Sequence, residues 1–281
     1  MYPFSIGVML DSFRLPRLEA LQSARNVGAT GIQVYATRGE MAPENLTTAM
    51  RREFLQQVKD HGLTISALCG DLGHGFGNAE LNPALIEKSK RILDLAKELE
   101  TDVVTTHIGV VPANSAHPRY AIMQDACGQL AAYADSVQAH FAIETGPETS
   151  LVLKGFLDGL HSTGVAVNLD PANLVMVTGD DPAKAVHNLK DYIVHTHAKD
   201  GRKLFDKDPE IIYGIVEDPA AVTDSAFIEL PLGEGDVDFP AWLAALNEIG
   251  YKGFLTIERE VGADPYGDIS KAVQFLKNHI K

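Results

Sequence analysis

Four short stretches of the chain each end a β-branched run on a group that can bind a cation or move a proton. They are AIETGPE with Glu144, VNLDPANL with Asp170, VHTHAKD with His197 and LTIERE with Glu258. Three carboxylates and an imidazole brought to one point without a cation would repel one another and raise the carboxyl pKa values strongly. A divalent cation resolves that conflict. A donor set dominated by oxygen with one imidazole favours Mn²⁺, or Mg²⁺ or Co²⁺, in near-octahedral geometry, whereas a structural Zn²⁺ site closes at four Cys/His ligands. Such a coordination sphere leaves room for substrate oxygens.

The four groups meet only if they share a face. Side chains alternate along a strand. In FAIETG the outward parity takes Phe141 and Ile143 and leaves Ala142 and Glu144 inside; in VAVNLDP, Asn168 and Asp170 turn inward. In VHTHAKD, the residues His195, His197 and Lys199 share the inner parity, and in FLTIERE it is Thr256, Glu258 and Glu260. Neighbouring strands lie about 4.8 Å apart, so Glu144, Asp170, His197 and Glu258 can converge. His195 then sits one layer deeper than the proposed ligand, as a packed and hydrogen-bonded histidine, and Lys199 one layer higher, at the rim.

The elements that must position these residues recur along the chain. Strand-like runs start at Phe4, Gly31, Leu63, Asp102, His140, Val165, Ile193 and Gly253. Between them lie stretches such as LEALQSARNVGA and NPALIEKSKRILDLAKELE, with apolar residues three and four apart, and Gly28, Gly62, Gly164 and Gly250 read as helix stops. Eight strand-then-helix units imply parallel strands joined by right-handed crossovers and closed into an α/β (β/α)₈ TIM barrel, one domain over residues 1–281. An open doubly wound sheet would carry a GxGxxG loop after its first strand, and GVMLDSFRLP has none. The longest connections, Gly70–Asn82 and Gly201–Asp238, follow strands three and seven, where barrel enzymes build lids.

Three further residues are candidates for substrate contact. His107 ends the fourth strand with inward parity; Lys199 meets either a substrate hydroxyl or carboxylate, or neutralises Glu258 or Glu260; and the glycine-rich loop GDLGHGFGN supplies His74 or Phe76 to a lid. Arg14, Arg38 and Arg202 are scattered and no helix-start glycine nest stands out, which leaves the phosphorylation state of the substrate open.

A formal net charge of −14 argues against nucleic acid and for a small, neutral or weakly charged ligand. The two cysteines, Cys69 and Cys127, form neither a disulfide framework nor a thiolate metal site, which suits a reducing cytoplasm. Neither an export leader nor a membrane span is expected from MYPFSIGVMLDSFR or from any later run.

Through the four strand ends, together with LPLGEGDVDFPAWLAAL before the last strand, nearly the whole chain resembles the sugar isomerase/epimerase superfamily with the xylose-isomerase-like barrel. That superfamily includes ketose epimerases, hydroxypyruvate isomerase, inosose dehydratase and, more remotely, endonuclease IV. The resemblance implies a metal held by Glu144, Asp170, His197 and Glu258, with the two glutamates acting on opposite faces of the substrate. It also implies substrate contacts from Asn173, where epimerases often carry a histidine, from Glu148 with altered spacing, and loosely from Arg202. Isomerisation or epimerisation by proton abstraction next to a carbonyl, through a metal-stabilised enediolate, is the activity expected. Loss of a β-hydroxyl from the same enediolate would make the enzyme a keto-sugar or inosose dehydratase. A non-catalytic carbohydrate-binding barrel is the reading from a different class. Barrels of this type commonly pair, so a homo-oligomer is compatible with the sequence.

Overall fold

The computed structural model describes residues 2–219 and 224–281. Eight parallel strands close a barrel: β1 (Ser5–Met9), β2 (Gly31–Tyr35), β3 (Thr64–Cys69), β4 (Val103–Thr106), β5 (His140–Glu144), β6 (Val165–Leu169), β7 (Ile193–Ala198) and β10 (Phe254–Ile257). Around the ring the order is β1, β10, β7, β6, β5, β4, β3, β2, so every strand expected from the sequence takes its place. The strand-to-strand crossovers carry α1 (Arg17–Val27), α2 (Thr48–Asp60), α3 (Asn82–Glu98), α4 (Pro118–Val137), α5 (Ser150–Asp158), α6 (Pro171–Asn173), α7 (Pro182–Asn188), α8 (Pro209–Ile212) and α9 (Phe239–Glu248), and α10 (Pro265–Ile280) follows the last strand.

The parity of the strands sorts the chemistry. Outward residues such as Val8, Ile32, Phe141, Ile143, Val167 and Leu255 join helix residues such as Leu21, Ile92, Leu93 and Leu130 in the main apolar core. Burying each such side chain contributes roughly 1.5–3 kcal/mol, so the helix stripes are pinned to the barrel wall. Inside, a separate small cluster of Ala67, Val103, Ala142 and Ala166, with Val194 packed on it, plugs the barrel. Above it lies a buried polar layer of Gln33, Thr105, Asn168, His195 and Thr256. The ionisable residues occupy the layer nearest the strand C-termini, where barrel loops converge.

Of the expected helix stops, Gly28, Gly62 and Gly250 do sit just past helix ends in the left-handed region. Gly164 is different. A Cβ there would lie 2.2 Å from the Ala131 carbonyl oxygen, so this glycine lets the entry to β6 approach α4 rather than ending a helix.

The long connection after β7 is also more ordered than a bare loop. It holds an antiparallel ribbon of β8 (Asp200–Lys203) and β9 (Phe227–Leu230) together with α8. The sequence hides it because DGRK and FIEL are each four residues long and show no sustained alternation. One buried carboxylate fastens its stem. Asp200 Oδ1 accepts from the backbone N–H of Gly201 (2.8 Å) and Val237 (3.2 Å), and Oδ2 from Gly233 (2.9 Å) and Gly235 (3.0 Å). A Cβ at Gly235 would fall 2.1 Å from Asp200 Oδ1, so the LGEG segment needs a glycine for the carboxylate to reach it. Among the described residues, no helix is long and apolar enough to cross a membrane.

Replacing Asp200 with Ala strips the partner from four backbone donors at once, two of them buried, so a loss of about 2–4 kcal/mol is expected. Denaturant titration reads the loss, and limited proteolysis between β8 and β9 should speed up. Unchanged stability and cleavage would refute the clamp.

Candidate metal centre

Each of the four acidic or imidazole groups is placed by local structure. Glu144 is the last residue of β5, His197 the penultimate residue of β7, and Glu258 directly follows β10. Asp170 caps the N-terminus of α6: its Oδ1 accepts from the backbone of Ala172 (2.8 Å) and Asn173 (3.0 Å). That cap fixes the carboxylate and leaves Oδ2 buried with no hydrogen-bond partner.

One ligand atom from each of the four residues lies within 4.8 Å of all the others, and all four residues are buried. His197 Nδ1 is 3.5 Å from Glu144 Oε1 and 3.4 Å from both Asp170 Oδ2 and Glu258 Oε2. An orphaned buried carboxylate oxygen among converging anions is costly unless a cation satisfies it. These residues therefore fit a divalent ion with oxygen-rich coordination.

The electrostatics follow from the crowding. Burial disfavours the charged His197 ring, yet the Glu258 and Glu144 carboxylates override it and hold the imidazole well above its ordinary pKa. Burial also pushes the Glu144 carboxyl up, but His107 and His197 outweigh it and hold the group well below the usual carboxylate range. For Glu258 burial wins over Lys199 and His197, and its pKa is raised. Two carboxyls facing one ring are thus driven apart, the pattern that separates an acid from a base.

Beneath the cluster, His195 is fully satisfied. Its Nδ1 lies 2.9 Å from Asn168 Oδ1, and its Nε2 accepts from Thr256 Oγ1 (3.0 Å), with Ser66 Oγ 3.2 Å away. Burial, then the neighbouring His197, pushes its pKa down to about 3, so the ring is neutral and donates through Nδ1. Asn168, thereby oriented, turns its Nδ2 to Glu144 Oε2 at 3.1 Å.

Above the cluster, Lys199 Nζ lies 3.0 Å from Glu258 Oε2, also bonds Glu260, and is 4.0 Å from Glu229 Oε2. Glu229 belongs to the ribbon and pairs with Arg259, which holds Asp268 at 2.9 Å. On the other side, His107 Nδ1 is 3.4 Å from Asp71 Oδ2 and Nε2 is 3.7 Å from Glu144 Oε1. Burial works against its charge, but Glu144 and Asp71 carry its pKa up to about 9. Asn173 Nδ2 donates to Glu144 Oε1 at 3.0 Å. A cavity of about 270 Å³ opens over these groups, roofed by Ile212, Tyr213 and Phe227. Past Asp71, His107 and Tyr213 it adjoins a second hollow of about 550 Å³ bounded by His74, Leu81, Arg119 and Ile215.

Among the sequence candidates, the structure brings together Glu144, Asp170, His197, Glu258, His107, Asn173 and Lys199. It places His74 in the outer hollow only, and Phe76 is buried edge-on against Phe141, 5.9 Å between ring centres, as an anchor of its loop. Arg202 does not reach the cavity; it lies on the ribbon, pairing with Asp236 Oδ1 at 2.8 Å. Glu148 is buried outside the cavity lining, with Oε2 accepting from the Val111 backbone at 3.0 Å and Oε1 unpartnered. Sequence reasoning missed Gln33, Asp71, Tyr213 and Glu229. Gln33 is a polar residue inside GIQVY and was detectable by parity; Tyr213 and Glu229 arrive through the long connection, which carries no periodic signal.

The profile of the xylose isomerase-like TIM barrel family matches residues 21–279. The chain belongs to this family. Among solved structures, the xylose isomerase-like barrel superposes on a xylose isomerase domain protein from Planctomyces limnophilus with a TM-score of 0.78 at 24% identity, covering 99% of this chain and 96% of that one. Among curated sequences it is 22% identical over 253 residues to an uncharacterised protein of Methanocaldococcus jannaschii, spanning 86% of this chain and 76% of the relative. It is 29% identical over 142 residues to an inosose dehydratase of Lacticaseibacillus casei, 49% of this chain and 45% of that enzyme.

Glu148 gives this xylose isomerase-like barrel a pH signature. Burial raises its carboxyl to about 8. The unfolded chain therefore ionises first, so stability falls as pH rises from the ordinary glutamate range through about 8. Glu148→Gln should match wild type in thermal stability near pH 4 and exceed it near pH 8.5, by on the order of a few kcal/mol. Parallel melting curves at both pH values would refute the shift.

Proposed function

We propose that the chain is a divalent-metal-dependent enzyme that takes a proton from the carbon next to the carbonyl of a small keto-sugar or sugar derivative and returns it as an isomerase or epimerase. The observation that carries this reading is the convergence of Glu144, Asp170, His197 and Glu258 within 4.8 Å, with Asp170 Oδ2 lacking a hydrogen-bond partner and with Glu144 and Glu258 lining a cavity of about 270 Å³. Those four residues hold the cation, with Mn²⁺, Mg²⁺ or Co²⁺ suited to the donor set. When bound, it supplies Lewis-acid stabilisation of negative charge on substrate oxygen.

The protein's own groups do the rest. Glu144 and Glu258 approach the cavity floor from β5 and from the end of β10, on either side of Asp170 and His197, so one takes the proton and the other can return it on the opposite face. Asn173 orients the Glu144 carboxylate through Oε1, and Lys199 orients Glu258 through Oε2. The ribbon, with Tyr213 and Phe227 over the mouth, keeps water from the reacting carbon.

A second reading, a dehydratase, has its own support. His107 and Lys199 both line the cavity with raised pKa values, so two proton donors flank the floor, ready to assist a departing hydroxyl. The partial likeness to an inosose dehydratase points the same way.

A panel of ketoses and inososes incubated in D₂O with Mn²⁺ and followed by NMR and mass spectrometry separates these readings. Deuterium next to a carbonyl at conserved skeletal mass gives the isomerase or epimerase; loss of water gives the dehydratase. Chelation or Glu258→Gln should lower turnover by about 10²–10⁴-fold. Sugar binding that survives both treatments without any exchange would instead make this a carbohydrate-binding barrel.

A further inference from the structure

Below the metal centre a side chain from the far wall of the barrel touches one of the candidate ligands. Gln33 lies on β2, which is separated from β7 around the ring by β1 and β10, and it is completely buried. Its Oε1 is 2.9 Å from His197 Nε2, and its Nε2 donates to Thr105 Oγ1 on β4 at 2.8 Å. The contact crosses the barrel interior.

The other group near His197 Nε2 is Asn168 Nδ2, at 3.2 Å. That amide nitrogen is a donor: Asn168 Oδ1 is engaged by His195 Nδ1, and Nδ2 gives a hydrogen to Glu144 Oε2. A hydrogen on His197 Nε2 therefore has Gln33 Oε1 as its acceptor. Which ring nitrogen is left free to bind a metal is set by the hydrogen bond the other nitrogen makes. With Nε2–H donated to Gln33, Nδ1 is the nitrogen that faces Glu144, Asp170 and Glu258, where its lone pair serves for ligation once a cation takes the place of the Nδ1 proton.

We propose that Gln33 is a positioning residue that locks His197 in the Nε2–H tautomer and aims Nδ1 at the cation, with Thr105 holding the Gln33 amide the right way round. The assignment rests on the reading of the four-residue cluster as a divalent-cation site. Partners of this kind typically govern metal affinity by 10–100-fold. Gln33→Leu keeps the bulk and removes the acceptor. Gln33→Glu keeps an oxygen in the acceptor place. Thr105→Val frees the amide to rotate.

The test is titration of the metal-free full-length protein with Mn²⁺, followed by calorimetry and by loss of the free-ion EPR signal. Gln33→Leu should weaken Mn²⁺ binding about 10–100-fold, Gln33→Glu should stay within a few-fold of wild type, and Thr105→Val should fall between. Long-range ¹H–¹⁵N correlation on histidine-labelled wild type saturated with Mg²⁺ should show a protonated Nε2 and an unprotonated Nδ1 at His197, a readout that no folding defect in a variant can mimic. Mn²⁺ affinity unchanged in Gln33→Leu, or equally lost in Gln33→Glu, or the reverse tautomer in wild type, would overturn the role of Gln33 while leaving the cation site intact. Wild type that takes up no Mn²⁺ would overturn the site itself, and this assignment with it.

Discussion

Three carboxylates share a buried floor with one imidazole, and their mutual repulsion is the constraint around which the interior is arranged. Left alone, such a cluster must take up protons or a cation, because neither desolvation nor like charge is tolerable unpaired. The protein meets part of the demand itself. His197 is drawn toward its charged form, Lys199 leans on Glu258, and His107 leans on Glu144. Asp170 Oδ2 is left facing the centre with no hydrogen-bond partner, and this residual need is what a dication answers.

The barrel converts that need into defined geometry by layering. Small apolar residues plug the bottom, neutral amides, hydroxyls and one uncharged histidine fill the middle, and the ionisable groups stand at the mouth. The middle layer carries no formal charge, so it can orient the ligands above without adding to their repulsion. His195 acts through Asn168 on Glu144, and Gln33 touches His197 from across the barrel. The ribbon closes the assembly from above. Its stem is tied by Asp200 and its far strand by Glu229 to Arg259, so the walls of the cavity are held at both ends of a long excursion.

Much of this was legible in the sequence because strand parity is a strict code. Once FAIETG, VAVNLDP, VHTHAKD and FLTIERE are read as strands, period two alone puts Glu144, Asp170, His197 and Glu258 on one face, and the structure joins them. The bulge between Val167 and Asn168 leaves that parity intact at the mouth. Contacts made by irregular segments were not legible. Tyr213 and Glu229 reach the cavity because of where a long connection folds back, which depends on the Asp200 clamp and not on any local period. Arg202 was suggested only by the resemblance to the superfamily, as a loose match, but the antiparallel ribbon turns it toward Asp236. Glu148 was suggested by the resemblance, as the superfamily's second glutamate at an altered spacing, yet the turn after β5 sends it toward the Val111 backbone.

The account stands on one ion shared by four side chains. Anomalous diffraction from crystals grown with Mn²⁺, collected on both sides of the manganese edge, tests it most directly. A single strong peak is expected at about 2.0–2.4 Å from a carboxylate oxygen of Glu144, Asp170 and Glu258 and from His197 Nδ1. No manganese peak there, with the four side chains turned away from one another, would contradict it.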